Sequence, residues 1–355
     1  MRQNVSMKAS LPLGLTLIGL ALILACGGGS STPAPGSGTI STFAGGAESG
    51  TTDAIGQSVR FNNPVNVVIG PNNNVYVADF DNNRIRRIAP DGTSTTVIDQ
   101  ANFVRPFGMA FIGNRLFVQT DGNDTGGVDS MTGTIWEVDI VNNTATVVKA
   151  DIGRPRGLVA LPNGKLGMSN LTRNVIESMD PNTGAVTLLA GSYNGGGFVN
   201  GSAANARFNR PYGIDLLNSN TLLVADSGNH VIRSVNLVNG SVTTFAGSGT
   251  EGFQGGFFQQ ARFSKPQSVQ VVNEDNVFVG DNGNFVIRHL TIGRVSVFAG
   301  IGQPGFMDGP LSQAQFFGME GFDVDNTGSN FYIADGTGGQ DGQPYHRLRR
   351  ISYDQ

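Results

Sequence analysis

Four times along this 355-residue chain an aspartate is followed by an arginine in the next strand-like segment: Asp79/Arg86, Asp226/Arg233, Asp281/Arg288 and Asp335/Arg349. A carboxylate and a guanidinium placed across a short turn on neighbouring strands can form a charge-assisted hydrogen bond. A catalytic pair normally occurs once, so the recurrence predicts a structural clamp. Two further copies depart from it, with Trp136 in the arginine position of one and Asn170 and Glu177 in the other.

Recognition chemistry is expected instead where the copies differ. Each copy opens with a proline (Met319 in the last), and the next residues are Val65, Phe107, Arg156, Tyr212, Gln267 and Glu320. Arg105 and Arg154 stand immediately before Pro106 and Pro155. An arginine–aromatic cluster of Arg105, Phe107, Arg154, Arg156 and Tyr212 suits a carboxylate, a sugar acid or a peptide, and Arg156 and Tyr212 are expected to face solvent. Three residues further along the same segments stand Val68, Ala110, Val159, Asp215, Gln270 and Asp323. The last three predict a polar half-lining, its carboxylates paired through water.

Other candidates carry less. His230 falls in a turn, His289 on a strand and His346 in an insertion, in what read as different register positions, and no metal site is expected from them. The run 121–130 has Asp121, Asn123, Asp124 and Asp129 without EF-hand spacing and reads as a polar turn. No nucleophile triad order or phosphate-binding glycine fingerprint is present, so no cofactor is expected.

The elements that position these residues repeat. NVYVADFDNNRIRRI (74–88), TLLVADSGNHVIRSV (221–235) and NVFVGDNGNFVIRHL (276–290) are near copies, each preceded by an apolar run opening with Pro-x-Gly or a variant. Alternating Val, Ile and Leu around Asn- and Gly-rich turns reads as antiparallel strands. A further strand follows in five copies, as in SVTTFAG (241–247) and RVSVFAG (294–300). The sixth lacks it, and the missing copy stands at the other end as TISTFAG (39–45). Six four-stranded units, the last completed by the N-terminal segment, describe a ring closed by its own terminus. Four long connections share a second motif ending in Phe61, Phe208, Phe263 and Phe316, read as plugs between units. Connections after the first two units are shorter, so the loop face should be lower there.

The Val-Ala-Asp-x-x-x-Asn/His-x-Ile-Arg strand pair and the Pro-x-Gly strand start resemble the NHL-repeat family over 40–355. The resemblance implies an all-β, six-bladed β-propeller with four antiparallel strands per blade. It implies function far less firmly, since one fold hosts many activities. Lyases on related propellers hold zinc through convergent histidines, a set without counterpart here.

Composition and the N-terminus set the location. Residues 1–25 read as a signal peptide whose apolar run ends at Ile23-Leu24-Ala25-Cys26, resembling a bacterial lipobox that lipidates Cys26. Residues 26–39 carry a Gly/Ser/Pro tether, and 40–355 form the propeller. The protein is thus expected to be exported and lipid-anchored to the cell envelope, with the outer membrane favoured, touching the membrane through the anchor only. A net charge of −4 argues against nucleic acid, and a single cysteine excludes an intramolecular disulfide. The expected function is a monomeric, non-enzymatic module binding a peptide, glycan or protein at the loop face. The alternatives are a propeller enzyme of the lactonase, lyase or strictosidine-synthase-like group and a purely structural envelope protein.

Overall fold

Side chains that alternate in character every second residue make a strand that can bury one face against a neighbour. A computed structural model describes residues 38–193, 195–340 and 342–353. Its principal strands form six sheets, each of four antiparallel strands in order from the channel outward. Blade 1 comprises Pro64–Ile69, Val75–Asp79, Arg84–Ile88 and Ser94–Ile98. Blades 2 to 5 open with Pro106–Ile112, Pro155–Ala160, Pro211–Asn218 and Pro266–Asn273. Blade 6 has Gly318–Val324, Asn330–Gly336 and His346–Ser352, and its outermost strand is Thr39–Gly46. The ring therefore closes as expected, with Thr42 opposite Arg349 and Gly46 opposite His346. Thr39 already pairs with Ser352, so the ring starts one residue earlier than the sequence boundary.

Stacking buries what a lone sheet would expose. Phe61, Phe208, Phe263 and Phe316 are fully buried in apolar clusters that join adjacent blades. The two short connections have plugs as well, Phe103 and Ile152, both buried and both three residues before the strand-opening proline, as Phe61, Phe208 and Phe263 are. Two outer edges gain a short fifth strand: Gly256–Phe257 on blade 5 and Gly309–Pro310 on blade 6. Such additions blunt edges that would otherwise template aggregation.

The repeated Asp/Arg pairs hold the connections in place. All four are buried, with nitrogen–oxygen separations of 3.0 Å (Arg86–Asp79), 2.7 Å (Arg233–Asp226), 2.9 Å (Arg288–Asp281) and 2.8 Å (Arg349–Asp335). In each of these four blades the aspartate accepts the N–H of the residue after the plug, from Asn62, Asn209, Ser264 and Phe317. The arginine donates to the carbonyl of the residue before the plug: Arg60, Arg207, Arg262 and Gln315. The plug is thus gripped on both flanks. Blades 2 and 3, which lack the pair, are entered by the two short connections. There Trp136 Nε1 donates to Thr120 Oγ1 at 2.8 Å, and Asn170 Nδ2 donates to Glu177 and to the Ile152 carbonyl.

The expected signal peptide, the expected lipidation at Cys26 and most of the expected tether fall on residues 1–37, outside the described residues. Among the described residues no helix is long and apolar enough to cross a membrane.

Candidate functional site

The first strand of every blade lines a central channel, which widens to a cavity of ≈ 340 Å³. This lies within the range of small-ligand sites. The blades approach so closely around it that the glycine of Pro-x-Gly cannot carry a side chain. A Cβ on Gly157 would lie 2.4 Å from the Tyr212 carbonyl oxygen, and one on Gly321 2.2 Å from Asn66 Oδ1.

Phe107, Arg156, Tyr212, Gln267 and Glu320 all line this cavity, so the variable second position does converge. Arg105 and Arg154 do not line it. Arg105 is exposed, its guanidinium 5.7 Å from the Phe80 ring centroid, and Arg154 donates to the Asp129 carbonyl at 2.6 Å. The expectation that Arg156 and Tyr212 face solvent is corrected: they are 9% and 7% exposed. Arg156 is held by both oxygens of Asp121, at 2.7 and 3.1 Å, and stacks 4.1 Å over Phe107. Phe107 in turn meets Tyr212 edge-on at 5.6 Å. Asp121, first read as part of a polar turn, is thus the counter-ion of the mouth. Burial pushes the Tyr212 hydroxyl well above its ordinary value, and the nearby Glu320 carboxylate adds to this. Glu320 is pushed up to about 7, chiefly by burial, against the pull of Arg156 and a hydrogen bond with Tyr212.

Deeper in, the lining divides as expected: Val68, Ala110 and Val159 on one side, Asp215, Gln270 and Asp323 on the other. Backbone N–H groups hold both carboxylates. Asp215 accepts from Leu216 and, in the next blade, from Val271, both at 2.7 Å. Asp323 accepts from Val324 at 2.8 Å and from Ile69 of blade 1 at 2.7 Å. Gln270 donates to the Phe322 carbonyl at 2.8 Å. Asn66, overlooked in the sequence, makes the same kind of stitch to the Phe107 carbonyl at 3.1 Å. It occupies the glycine position of blade 1, which was the available signal. Burial still lifts Asp215 to about 7 and Asp323 to about 6, because the channel wall solvates a carboxylate less well than water.

The histidines are also corrected. His230 and His346 share a register, each three residues before a clamp arginine, and each accepts a backbone N–H from the following blade through Nδ1 at 3.1 Å, from Lys265 and Asn63 respectively. Asn83 and Asn174 do the same through Oδ1 for Arg105 and Arg210. His289 stacks on Phe278 at 4.6 Å. Among the described residues no three His, Cys, Asp or Glu side chains converge as a metal-ligand set.

The residue before the opening proline is cationic in four successive blades: Arg105, Arg154, Arg210 and Lys265. The sequence reading singled out only the first two. Arg105, Arg210 and Lys265 sit in the left-handed region, at φ 57°, 53° and 48°, a conformation unusual for non-glycine residues.

Comparison with known proteins follows the ring. The model of the NHL repeat matches residues 61–88, the stretch from the first plug through the third strand of blade 1. NHL repeat-containing protein 2 of Bos taurus is 26% identical over 317 residues, 74% of this chain and 43% of its own length. The chain spans about a quarter to under a half of the curated relatives it matches over most of its own length. Among solved structures, an auxiliary nutrient binding protein from Bacteroides thetaiotaomicron superposes with a TM-score of 0.69 at 19% identity, covering 90% of this chain and 77% of that one. Virginiamycin B lyase from Staphylococcus aureus superposes with a TM-score of 0.53 at 14% identity, covering 82% and 96%. With its repeats, its closed ring and this match, the chain is a six-bladed β-propeller that carries the NHL repeat.

Proposed function

We propose that this protein is a monomeric, non-enzymatic binding module of the bacterial cell envelope, tethered by a lipid on Cys26 and taking a peptide, glycan or protein-borne ligand at the channel mouth. One observation carries the binding role. In five of the six blades the second residue of the first strand converges on a ligand-sized cavity, yet it differs in every one: Phe107, Arg156, Tyr212, Gln267 and Glu320. Repetition of the fold does not call for that variety, whereas recognition does. The nutrient-binding role named for the Bacteroides neighbour supports both the binding reading and the envelope location. A ring whose last blade is completed by a strand of the same chain supports the monomer.

The test is a glycan and peptide array probed with the purified protein, followed by calorimetry on any hit. Gln267→Ala and Glu320→Gln should each weaken a mouth ligand about tenfold, the worth of one hydrogen bond to a polar or charged group. Unaltered affinity in both would remove the ligand from the mouth.

One observation favours a second reading. A carboxyl at about 7 beside the Tyr212 hydroxyl is poised for proton transfer near neutrality, as an acid–base enzyme requires. Turnover of a lactone or glycan by the parent protein, lost in Glu320→Gln, would establish that role instead.

A further inference from the structure

Beside the mouth, between blades 4 and 5, lies a second pocket of ≈ 290 Å³ lined by Arg210, Tyr212, Ser227, His230, Lys265 and Gln267 among others. It shares Tyr212 and Gln267 with the channel cavity, so the two are contiguous. Its chemistry is one-sided. Neither Arg210 nor Lys265 enters any ion pair among the described residues. In contrast, Arg154 bonds a carbonyl, Arg156 is neutralised by Asp121, and Arg105 lies against Phe80. The Gln267 side-chain oxygen is occupied by Asn282 Nδ2, which leaves its amide N–H groups to donate. His230 accepts the Lys265 N–H through Nδ1, so the neutral ring carries its proton on Nε2. Ser227, 6% exposed, adds a hydroxyl.

We infer that this pocket is an anion subsite for the carboxylate of a small acidic ligand, whose body extends over Tyr212 into the channel mouth. The extension rests on the mouth-binding reading above; the subsite itself does not. Charge selects the class. Arg210 and Lys265 supply two positive charges, and Glu251, close enough to feel both His230 and Lys265 and bonded to Ser264 Oγ at 2.7 Å, supplies one negative charge. The balance of one positive charge matches a carboxylate monoanion better than a phosphate dianion. Arginine and glutamine can each present paired N–H donors to the two carboxylate oxygens.

The experiment is calorimetric titration of the purified protein with acetate, D-glucuronate, D-glucose and inorganic phosphate. Acetate is expected to bind weakly and D-glucuronate more tightly. Arg210→Gln and Lys265→Gln should each weaken both by about tenfold, the loss of one charge-assisted contact, while Arg105→Gln changes neither. Lys265→Gln keeps the backbone bond to His230, so its effect reports the ammonium group alone. If acetate fails to bind, if its affinity survives both substitutions, or if phosphate binds more tightly than either carboxylate, the subsite is refuted. If acetate binds through Arg210 and D-glucuronate gains nothing over it, the subsite stands and the mouth-binding reading fails.

Discussion

Replacing Asp281 with alanine should damage the ring more than replacing Asp79, although the two residues occupy the same place in their repeats. Each aspartate is buried and bonded to its arginine, at 2.9 and 3.0 Å. What remains around the arginine differs. Without Asp79, Arg86 keeps the Asp53 carboxylate at 2.6 Å, together with Ser94 Oγ and two carbonyls. Without Asp281, Arg288 keeps only carbonyls, those of Gln254 at 2.8 Å and of Arg262 and Ser296 at 3.3 Å, because Gly255 stands where blade 1 has Asp53. A buried cation stripped of its only counter-ion costs about 3–5 kcal/mol. Loss of one charge-assisted bond from a cation that stays neutralised costs about 1.5–3 kcal/mol. Asp335→Ala should resemble Asp79→Ala, since Arg349 retains Asp308 at 2.8 Å. At about 2 °C per kcal/mol for a domain of this size, Asp281→Ala should lower the melting temperature by about 6–10 °C and Asp79→Ala by about 3–6 °C. Thermal and urea unfolding followed by circular dichroism would measure both. If Asp79→Ala proves as costly as Asp281→Ala, the second carboxylate does not compensate the buried arginine and the argument fails.

Three other outcomes are expected. Deleting residues 39–46 removes a strand paired from Thr39 to Gly46, and should cost several kcal/mol in burial and ladder bonds or abolish cooperative melting; a melting point within a degree or two of the parent would contradict closure. Glu320→Gln should flatten the pH dependence of stability. The folded carboxyl titrates at about 7 against an ordinary 4.5, so its contribution is complete below the unfolded value and is lost as pH rises through about 7. His346, whose pKa burial lowers, acts in the opposite sense over adjoining pH, so the comparison is between parent and variant curves rather than of either alone. Cys26→Ala should release the protein from the membrane fraction or leave it as precursor, and unchanged mass with unchanged fractionation would dismiss lipidation.

The ring was legible because its signals are periodic. Proline openings, the Val-Ala-Asp segment and the displaced TISTFAG copy each occur at a fixed place in the unit, and repetition separates them from chance. The two recurrent motifs were visible separately, but not that one grips the other. The bonds from Arg86 to the Arg60 carbonyl and from Asn62 to Asp79 join segments whose apposition depends on how blades stack. That link also explains why the clamp is missing in blades 2 and 3, whose entering connections are short. Strand position was enough to gather Phe107, Arg156, Tyr212, Gln267 and Glu320 around one cavity, whereas the pairing of Arg156 was hidden because Asp121 belongs to an insertion outside the repeat. Arg210 and Lys265 were overlooked despite holding the same pre-proline position as Arg105 and Arg154. The error over His230 and His346 arose from the insertion before His346, which disguises a shared distance from the clamp arginine.

Closure by Thr39–Gly46 also sets an order of events. This strand leaves the ribosome before any of its partners exists, and His346–Ser352 is the last of the ring's described strands to be made. Blades 1 to 5 consist of contiguous segments and can fold as they emerge; blade 6 cannot. Until that last strand emerges, two unpaired edges wait at opposite ends of the growing arc, and each is a place for misassembly. The entropy of joining such distant segments rises only logarithmically with their separation, so the finished protein loses little stability by it. The burden falls on the rate, because the seam is the longest-range pairing in the molecule and must form after everything else. Once formed, the same seam slows the reverse process: the arc cannot spread until Thr39–Gly46 has parted from His346–Ser352. Resistance to unfolding should therefore be governed more by this one strand pair than by the average strength of the six blades.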